Sequence, residues 1–280
     1  MPKRDPDLTS LSCRIDSEPP IEARNGAYCC CKIVLDFVAA LMVLVLTAPL
    51  ILLVVVVVKW TSRGPAFYCH ERLGKNGRLF TLYKMRTMVD NAEAETGPIW
   101  AEPHDVRITP VGRLLRQFHI DELPQLFNVL RGDMSMVGPR PERPELVTSF
   151  EWDVPHYHER LQVRPGLTGF AQLRLPPDTD TDCVRRKLVY DLYYVQRYSF
   201  SLDLQILFLT CLQFASAFIK PVPAFVDLPD WNTVCDKLSM CDKTSISGGR
   251  AADAPDDPEW YQNSLPASST VSETEEGIVS

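Results

Sequence analysis

Residues 37–58 read FVAALMVLVLTAPLILLVVVVV, an uninterrupted run without a charged side chain. As an α-helix it is about 33 Å long at the standard rise per residue, enough for the roughly 30 Å hydrocarbon layer of a bilayer. It starts too late, runs too long and lacks the small-residue cleavage site of a secretory signal. Pro49 falls mid-run, where its ring removes one helical hydrogen bond and bends the axis. Basic residues flank both sides, Arg24 and Lys32 before, Lys59 and Arg63 after. The positive-charge bias that orients membrane segments therefore assigns no direction. Two readings stand: a helix that crosses the membrane, and a kinked one that dips in and returns.

Upstream, residues 1–28 are polar, carry Pro2, Pro6, Pro19 and Pro20, and read as a flexible arm. Cys29, Cys30 and Cys31 are consecutive, and the nine cysteines include no C-x-x-C pair. That pattern suits neither a zinc site nor a disulfide framework, and it predicts reduced thiols. Lipidation of the triplet beside a membrane segment is the alternative.

Downstream, residues 59–86 hold Lys59, Arg63, Arg72, Lys75, Arg78, Lys84 and Arg86 against the single acid Glu71. A basic stretch after an apolar one predicts contact with phosphates or anionic headgroups, or a solvated face. FYCHERL and RLFTLYK flank Gly74-Lys75-Asn76-Gly77, and Asn-Gly is a strong hairpin signal. Residues 89–104 are loop-like. A helix is expected from Thr109, with Pro110 at its first position and Val111, Leu114, Leu115 and Phe118 on one face. Pro124 starts a second, short one ending at Gly132. Residues 184–198 carry Leu188, Leu192 and Val195 at helical spacing. Residues 201–219 form an apolar helix interrupted by Asp203, Gln205 and Gln213, suited to the membrane interface or to the core. Past residue 244 the chain is rich in Ser, Pro, Gly and acids and reads as disordered. Most of the net charge of −7 resides there, so it describes the tail and not the working surface.

The densest polar stretch is 119–145, HIDELPQLFNVLRGDMSMVGPRPERPE. Asp121 and Glu122 precede the helix start expected at Pro124, where unpaired N–H groups would keep Asp121 ionised and offer a phosphate site. An ionised carboxylate can attack phosphorus, and two adjacent carboxylates can hold Mg²⁺ with help from substrate phosphates. In isolation they are equally an N-cap and a first-turn acid. Lys84, Arg86, Arg107, Arg113 and Arg116 supply cations. Arg140, between Pro139 and Pro141, and Arg164, before Pro165-Gly166, sit in rigid loops where a guanidinium fork is pre-positioned for phosphate. The five histidines make no HExxH pattern, and His156 and His158 read as surface residues. P-loop, dinucleotide and G-x-S-x-G fingerprints are absent, and nothing beyond the basic stretch points to nucleic acid.

Taken in order, these segments resemble one family. Lys32 and Asp36 enter the apolar run that contains Pro49. Then come GPAFYCHERLGKNGRLFTLYKMRTM, DVRITPVGRLLR, DELPQLFNVLRGDMSMVGPRPERPE, VRPGLTGFAQ, D-L-Y-Y and S-L-D-L-Q-I-L. From about residue 29 to 215 the chain resembles the bacterial sugar transferases, monotopic phosphoglycosyl transferases acting on polyprenyl phosphate, in their short form. Many relatives have Ser before the helix-breaking proline; here it is Ala48.

The resemblance implies an α+β fold: a re-entrant membrane helix over 29–60 broken near Pro49, and a cytoplasmic catalytic domain over 61–222. That domain combines a small β-hairpin with interfacial amphipathic helices, and a disordered acidic tail follows over 223–280. It implies transfer of a sugar 1-phosphate from a UDP-sugar to polyprenyl (undecaprenyl) phosphate at the inner membrane, the first membrane step of exopolysaccharide or other glycan biosynthesis. Asp121 would be the nucleophile, forming an aspartyl-phosphosugar, and Glu122 would help it hold Mg²⁺. Arg140 in Pro139-Arg140-Pro141 would bind the nucleotide, and Lys84, Arg86 and Arg164 the phosphates. Membrane lipid would surround the helix, and a homodimer is left open. The sugar has no readable code. The rival readings are a non-catalytic membrane scaffold with this fold and a multi-span enzyme that transfers directly. An account built on Asp121 requires a carboxylate that is accessible, near lipid and beside an anion-binding groove.

Overall fold

A computed structural model of the chain describes residues 26–89, 92, 105–145, 147, 154, 156–175, 181–216, 228–229 and 231–238. The N-terminal arm, nearly all of the 89–104 loop and the tail from 239 onward lie outside the described residues. Those described belong to one compact unit. It mixes helices with two small sheets, as the α+β expectation requires.

Helix α1 (Gly26–Thr61) is long and apolar enough to cross a membrane. Helical structure continues through Pro49, so the break expected there is not seen. One edge is buried along its whole length, through Asp36, Ala40, Ile51, Val54 and Val58, while Val34, Val45, Leu46, Leu52 and Leu53 face outward. Such a two-faced pattern on an apolar helix marks one side packed on protein and the other left for a non-aqueous surrounding. Cys29 is half-buried and Cys30 and Cys31 are exposed, all three free thiols.

Strands β1 (Phe67–Leu73) and β2 (Leu79–Met85) form the expected antiparallel hairpin, in register from Phe67↔Met85 to Leu73↔Leu79. Its turn places Asn76 at φ 57° and Gly77 at φ 72°. Asparagine and glycine are the residues that adopt consecutive left-handed conformations most readily. Helix α2 (Pro110–Gln117) begins as predicted: the Thr109 side chain accepts from Gly112 N and Pro110 sits at the start. The next segment differs from expectation. A 3-10 helix, Ile120–Gln125, contains Pro124, and α3 (Leu126–Arg131) starts only after it, ending at left-handed Gly132.

Strands β3 (Ser135–Val137) and β4 (Gly166–Thr168) pair in parallel. Their loops approach so closely that a Cβ on Gly138 would strike the Arg164 carbonyl, and one on Gly166 the Gly138 amide. Between them lies a 3-10 helix, Tyr157–Gln162. Helix α4 (Phe170–Arg174) leads to α5 (Thr181–Arg197), which buries Val184, Leu188, Tyr190, Leu192 and Tyr194 at the centre of the core. Helix α6 (Phe200–Ser216) buries Leu202 and Ile206 but exposes Phe200, Leu204 and Phe208. Within the region read as a disordered tail, α7 (Trp231–Leu238) is instead a helix, with Val234, Cys235 and Leu238 buried against the core.

Candidate active site

The 3-10 helix Ile120–Gln125 carries Asp121 and Glu122 on a short segment between α2 and α3. His119 enters it in the left-handed region at φ 52°, turning the chain sharply out of α2. Apolar neighbours fix it from below: Ile120 and Leu123 pack against the Ile51, Val54, Val58, Met85 and Leu115 cluster. The acidic pair is thus held against the C-terminal half of α1. The His119 ring meets Phe214 of α6 edge-on, 5.5 Å between centroids.

Glu122 is clamped. Its Oε1 accepts from Lys84 Nζ on β2 at 2.8 Å and from Arg140 Nη2 at 2.8 Å. Burial opposes its charge, but Arg140 and then Lys84 outweigh it and hold the carboxyl far below the ordinary range. Burial pulls the Lys84 ammonium down while Glu122 pushes it back up. Glu122 raises the Arg140 guanidinium against its own burial.

Arg140 is rigid for a reason the sequence foreshadowed. Pro139 and Pro141 are buried, and three successive carbonyls are fastened. Gly166 N donates to Pro139 O at 2.8 Å, Arg160 Nη2 to Arg140 O at 3.0 Å, and Arg72 Nη1 to Pro141 O at 3.2 Å. Arg160, which sequence reasoning passed over, is itself locked by Asp191 at 2.6 Å and by the Tyr157 hydroxyl at 2.6 Å.

Asp121 is different. It is only 7% exposed, so the open carboxylate expected from sequence is not what the fold presents. Nor does a helix N-terminus hold it ionised, because α3 begins at Leu126. Burial pushes its pKa up, Lys84 pulls it down, and Glu122 adds to the rise. No described group hydrogen-bonds its side chain, yet its oxygens are not among the fully enclosed unpaired polar atoms. The little exposure it keeps therefore reaches the carboxylate itself. Arg116, half-buried on α2 with Nε on Thr87 Oγ1 at 2.8 Å, adds a second favourable charge.

A buried carboxyl beside a lysine–glutamate–arginine clamp suits phosphate chemistry, and the surrounding sequence decides the family: residues 27–217 match the family described as bacterial sugar transferase. The chain belongs to that family. It is 42% identical over 176 residues to a UDP-N-acetylgalactosamine-undecaprenyl-phosphate N-acetylgalactosaminephosphotransferase of Aeromonas hydrophila, covering 63% of this chain and 41% of that protein. It is 44% identical over 187 residues to a UDP-glucose:undecaprenyl-phosphate glucose-1-phosphate transferase of Caulobacter vibrioides, covering 64% and 67% respectively. It is 39% identical over 189 residues to an undecaprenyl-phosphate galactose phosphotransferase of Salmonella typhimurium, covering 62% and 38%. The chain therefore spans less than half of the Aeromonas and Salmonella proteins.

Two residues expected to contact substrate phosphates do not join the Glu122 clamp. Arg86 turns toward the end of α1, where Nη2 donates to Ser62 O at 3.0 Å and Ser62 Oγ at 2.7 Å. It caps the membrane helix and does not join the clamp on Glu122. Arg164 lines a separate cavity of about 190 Å³ with Cys29, Lys32, Ile33, Ser135 and Tyr198. The hairpin turn supplies Lys75 to that cavity. Lys84 lies five residues along β2 from Leu79, about 17 Å at strand rise. His158 is exposed as expected, and His156 Nδ1 lies 2.6 Å from Glu159 Oε1.

For a cation, the fit is minimal. Among the described residues no cluster of three or more His, Cys, Asp or Glu side chains occurs. Asp121 and Oε2 of Glu122 nevertheless remain without hydrogen bonds, the two-carboxylate set that suits Mg²⁺ when substrate phosphates complete it.

Proposed function

We propose that the chain transfers a sugar 1-phosphate from a UDP-sugar to a polyprenyl phosphate through an aspartyl-phosphosugar intermediate. The observation that carries this reading is the contrast within one dipeptide. Glu122 is held through Oε1 by Lys84 and Arg140, while the carboxylate of its neighbour Asp121 accepts no hydrogen bond from the described residues.

In the first step an Asp121 oxygen attacks the β-phosphorus of the donor. The bond between that phosphorus and the oxygen bridging to the α-phosphate breaks, and UMP leaves with the bridging oxygen. In the second step an oxygen of polyprenyl phosphate attacks the same phosphorus, and the Asp121–phosphorus bond breaks. The product is polyprenyl-diphospho-sugar and the carboxylate is restored. Burial that raises Asp121 in energy as an anion favours esterification of its carboxyl oxygen, which moves the negative charge from the buried carboxylate to the phosphoryl oxygen beside Lys84 and Arg140. Lys84 and Arg140 offset charge on the diphosphate and hold Glu122 in place. Asp121 and Glu122 would hold Mg²⁺, which supplies further positive charge at the phosphates.

The membrane placement follows the same logic. At one end of α1, Lys32 Nζ pairs with Asp203 Oδ2 at 2.5 Å and Asp36 accepts from Ser135 Oγ at 2.7 Å. At the other, Arg86 caps Ser62. Both ends are fastened to one body, which supports placing the outward apolar stripe of α1 in lipid while its buried edge stays on protein. The same stripe and the exposed Phe200, Leu204 and Phe208 of α6 support an Asp121 placed at the lipid boundary. Single cysteines at residues 28 and 61 in a cysteine-free background should label from the same side of inverted vesicles; opposite sides would refute re-entry.

Asp121→Asn tests the chemistry. Purified in detergent, it should lose UMP release from a UDP-sugar in the presence of polyprenyl phosphate. Rapid quench of the parent with sugar-labelled donor should trap label on the protein. Full activity in the variant removes Asp121 from the nucleophile role. The relatives differ in sugar, so a UDP-sugar panel on the parent protein identifies the one used.

A further inference from the structure

The hairpin carries an aromatic pair that the transfer reaction leaves unused. In an antiparallel pair, residues directly opposite share a face of the sheet. Tyr68 is opposite Lys84, and His70 is opposite Leu82. This face turns inward: Leu82 is buried in the core, and Lys84 reaches Glu122. On the other face Cys69, Glu71 and Thr81 are exposed. Tyr68 breaks the inward pattern, because it lies in the Lys84 row and yet is 40% exposed. An inward-row residue left open beside Lys84 stands next to the lysine that holds Glu122.

The ring beneath Tyr68 is His70, with centroids 5.0 Å apart and planes inclined by 31°. Arg72 Nε donates to His70 Nε2 at 2.6 Å, so the ring proton sits on Nδ1, which is enclosed and has no partner. Burial first, and then Arg72, Lys84, Arg143 and Arg140, keep this ring neutral. Two of the four, Lys84 and Arg140, are the cations that hold Glu122. The surface thus offers a flat, uncharged aromatic shelf next to a group of cations. A nucleotide has the complementary shape, a flat base joined to phosphates, and bases stack on exposed aromatic rings whatever their hydrogen-bonding edge.

We infer that Tyr68, backed by His70, is the platform on which the donor's nucleoside base stacks while its phosphates reach Lys84 and Arg140. This rests on the transferase reading and adds to it the base-binding residue. The leaving nucleotide would then depart from this rim while the phosphosugar stays on Asp121.

The test uses the full chain in detergent or nanodiscs, with UDP-sugar, UMP and polyprenyl phosphate. Tyr68→Ala and Tyr68→Leu should raise both KM for the donor and the inhibition constant of UMP about tenfold or more, the usual loss for one stacked base. KM for polyprenyl phosphate should not follow. Tyr68→Phe, which keeps the ring, should restore the donor KM. Donor KM and UMP inhibition within twofold of the parent in both variants would overturn the inference. So would a change confined to polyprenyl phosphate, which would assign the ring to the acceptor lipid. Should both variants fail to give a folding transition, photolabelling of the parent with 5-azido-UMP decides: label on Phe67–Leu73 supports the platform, and label elsewhere excludes it. A parent protein that releases UMP from no UDP-sugar defeats the transferase reading itself, an outcome separate from any result at Tyr68.

Discussion

At the N-terminal end of α1, Asp36 and Asp203 sit with Lys32; beside its C-terminal half, Asp121 and Glu122 sit with Lys84 and Arg140. Both are buried clusters of two acids and their cations, but in the first both carboxylates are hydrogen-bonded. Asp203 Oδ2 accepts from Lys32 at 2.5 Å and from the Tyr28 hydroxyl at 2.6 Å, and Tyr194 donates to Oδ1 at 2.7 Å. Asp36 accepts from Ser135 Oγ at 2.7 Å and Met136 N at 3.3 Å. The second cluster satisfies Glu122 twice and Asp121 not at all. A buried charge without hydrogen bonds is unfavourable to the fold, whereas a buried charge with all of them filled holds it together. The difference separates an anchor from the group we propose as the nucleophile.

Substitution should therefore split the two clusters in opposite directions. Asp121→Asn should abolish turnover, lowering UMP release at least about a thousandfold, as loss of a covalent nucleophile does. Its fold should be unharmed or firmer at neutral pH. The sign is set by the raised pKa: a carboxyl bound more tightly to its proton when folded adds stability below its unfolded pKa, and that stability is lost as pH rises through the folded value. The neutral amide removes that loss. Asp203→Ala should do the reverse, destabilising by about 3–5 kcal/mol because Lys32 is left buried and poorly paired. Its folded fraction should keep its chemistry. Unfolding in mixed micelles beside UMP release reads both. If Asp121→Asn unfolds as readily as Asp203→Ala, the distinction drawn between the clusters is wrong.

Much of this architecture was legible in local sequence, because local sequence fixes local geometry. Asn76-Gly77 set the hairpin, Thr109-Pro110 the start of α2, and the flanking prolines the rigid Arg140 loop. The clamp on Glu122 was not legible, since it joins side chains 38 and 18 residues away. The anchor joins Lys32 to Asp203 across 171 residues, and no spacing rule reaches so far. Pro124 misled in a specific way. It suits the first turn of an α-helix, but it also suits a 3-10 segment, and that shifted the start of α3 past the acidic pair. Helix α7 had a readable i, i+3, i+4, i+7 pattern in Trp231, Val234, Cys235 and Leu238, masked by the acidic sequence after it. Arg86 and Arg164 show the limit of composition: each is a basic residue near a motif, and neither joins the clamp on Glu122.

Lys84 links the two acids and gives a finer test of how they differ. Lys84→Met removes the charge that most opposes the upward push on Asp121. The acid limb of the kcat/KM profile, which reports ionisation of the nucleophile, should then move to higher pH, with a loss of rate at neutral pH of about 10²-fold for one missing charge-stabilising contact. Glu122 loses the same charge and one of its two hydrogen bonds and also rises, but Arg140 still holds it down. An acid limb left in place would mean that Asp121 is not the group whose ionisation limits the rate.

The smallest effect is expected at His70, beside rather than within the clamp. Burial, then Arg72, then Lys84 push its pKa down to about 3 from the usual 6.5. Between those values the unfolded chain binds a proton there and the folded chain does not. Stability should therefore fall as pH drops from about 6.5 toward 3, with a slope from this group of at most about 1.4 kcal/mol per pH unit. His70→Gln, neutral at every pH, should flatten the curve in that window and leave it unchanged above pH 7. Unfolding midpoints across the series measure it. The anchor of Lys32 and Asp203 contains no histidine, so any residual acid sensitivity in His70→Gln belongs to carboxylates. A slope identical to the parent's would show that the cations around Arg140 do not govern that ring, and would separate the hairpin electrostatically from the acidic pair it faces.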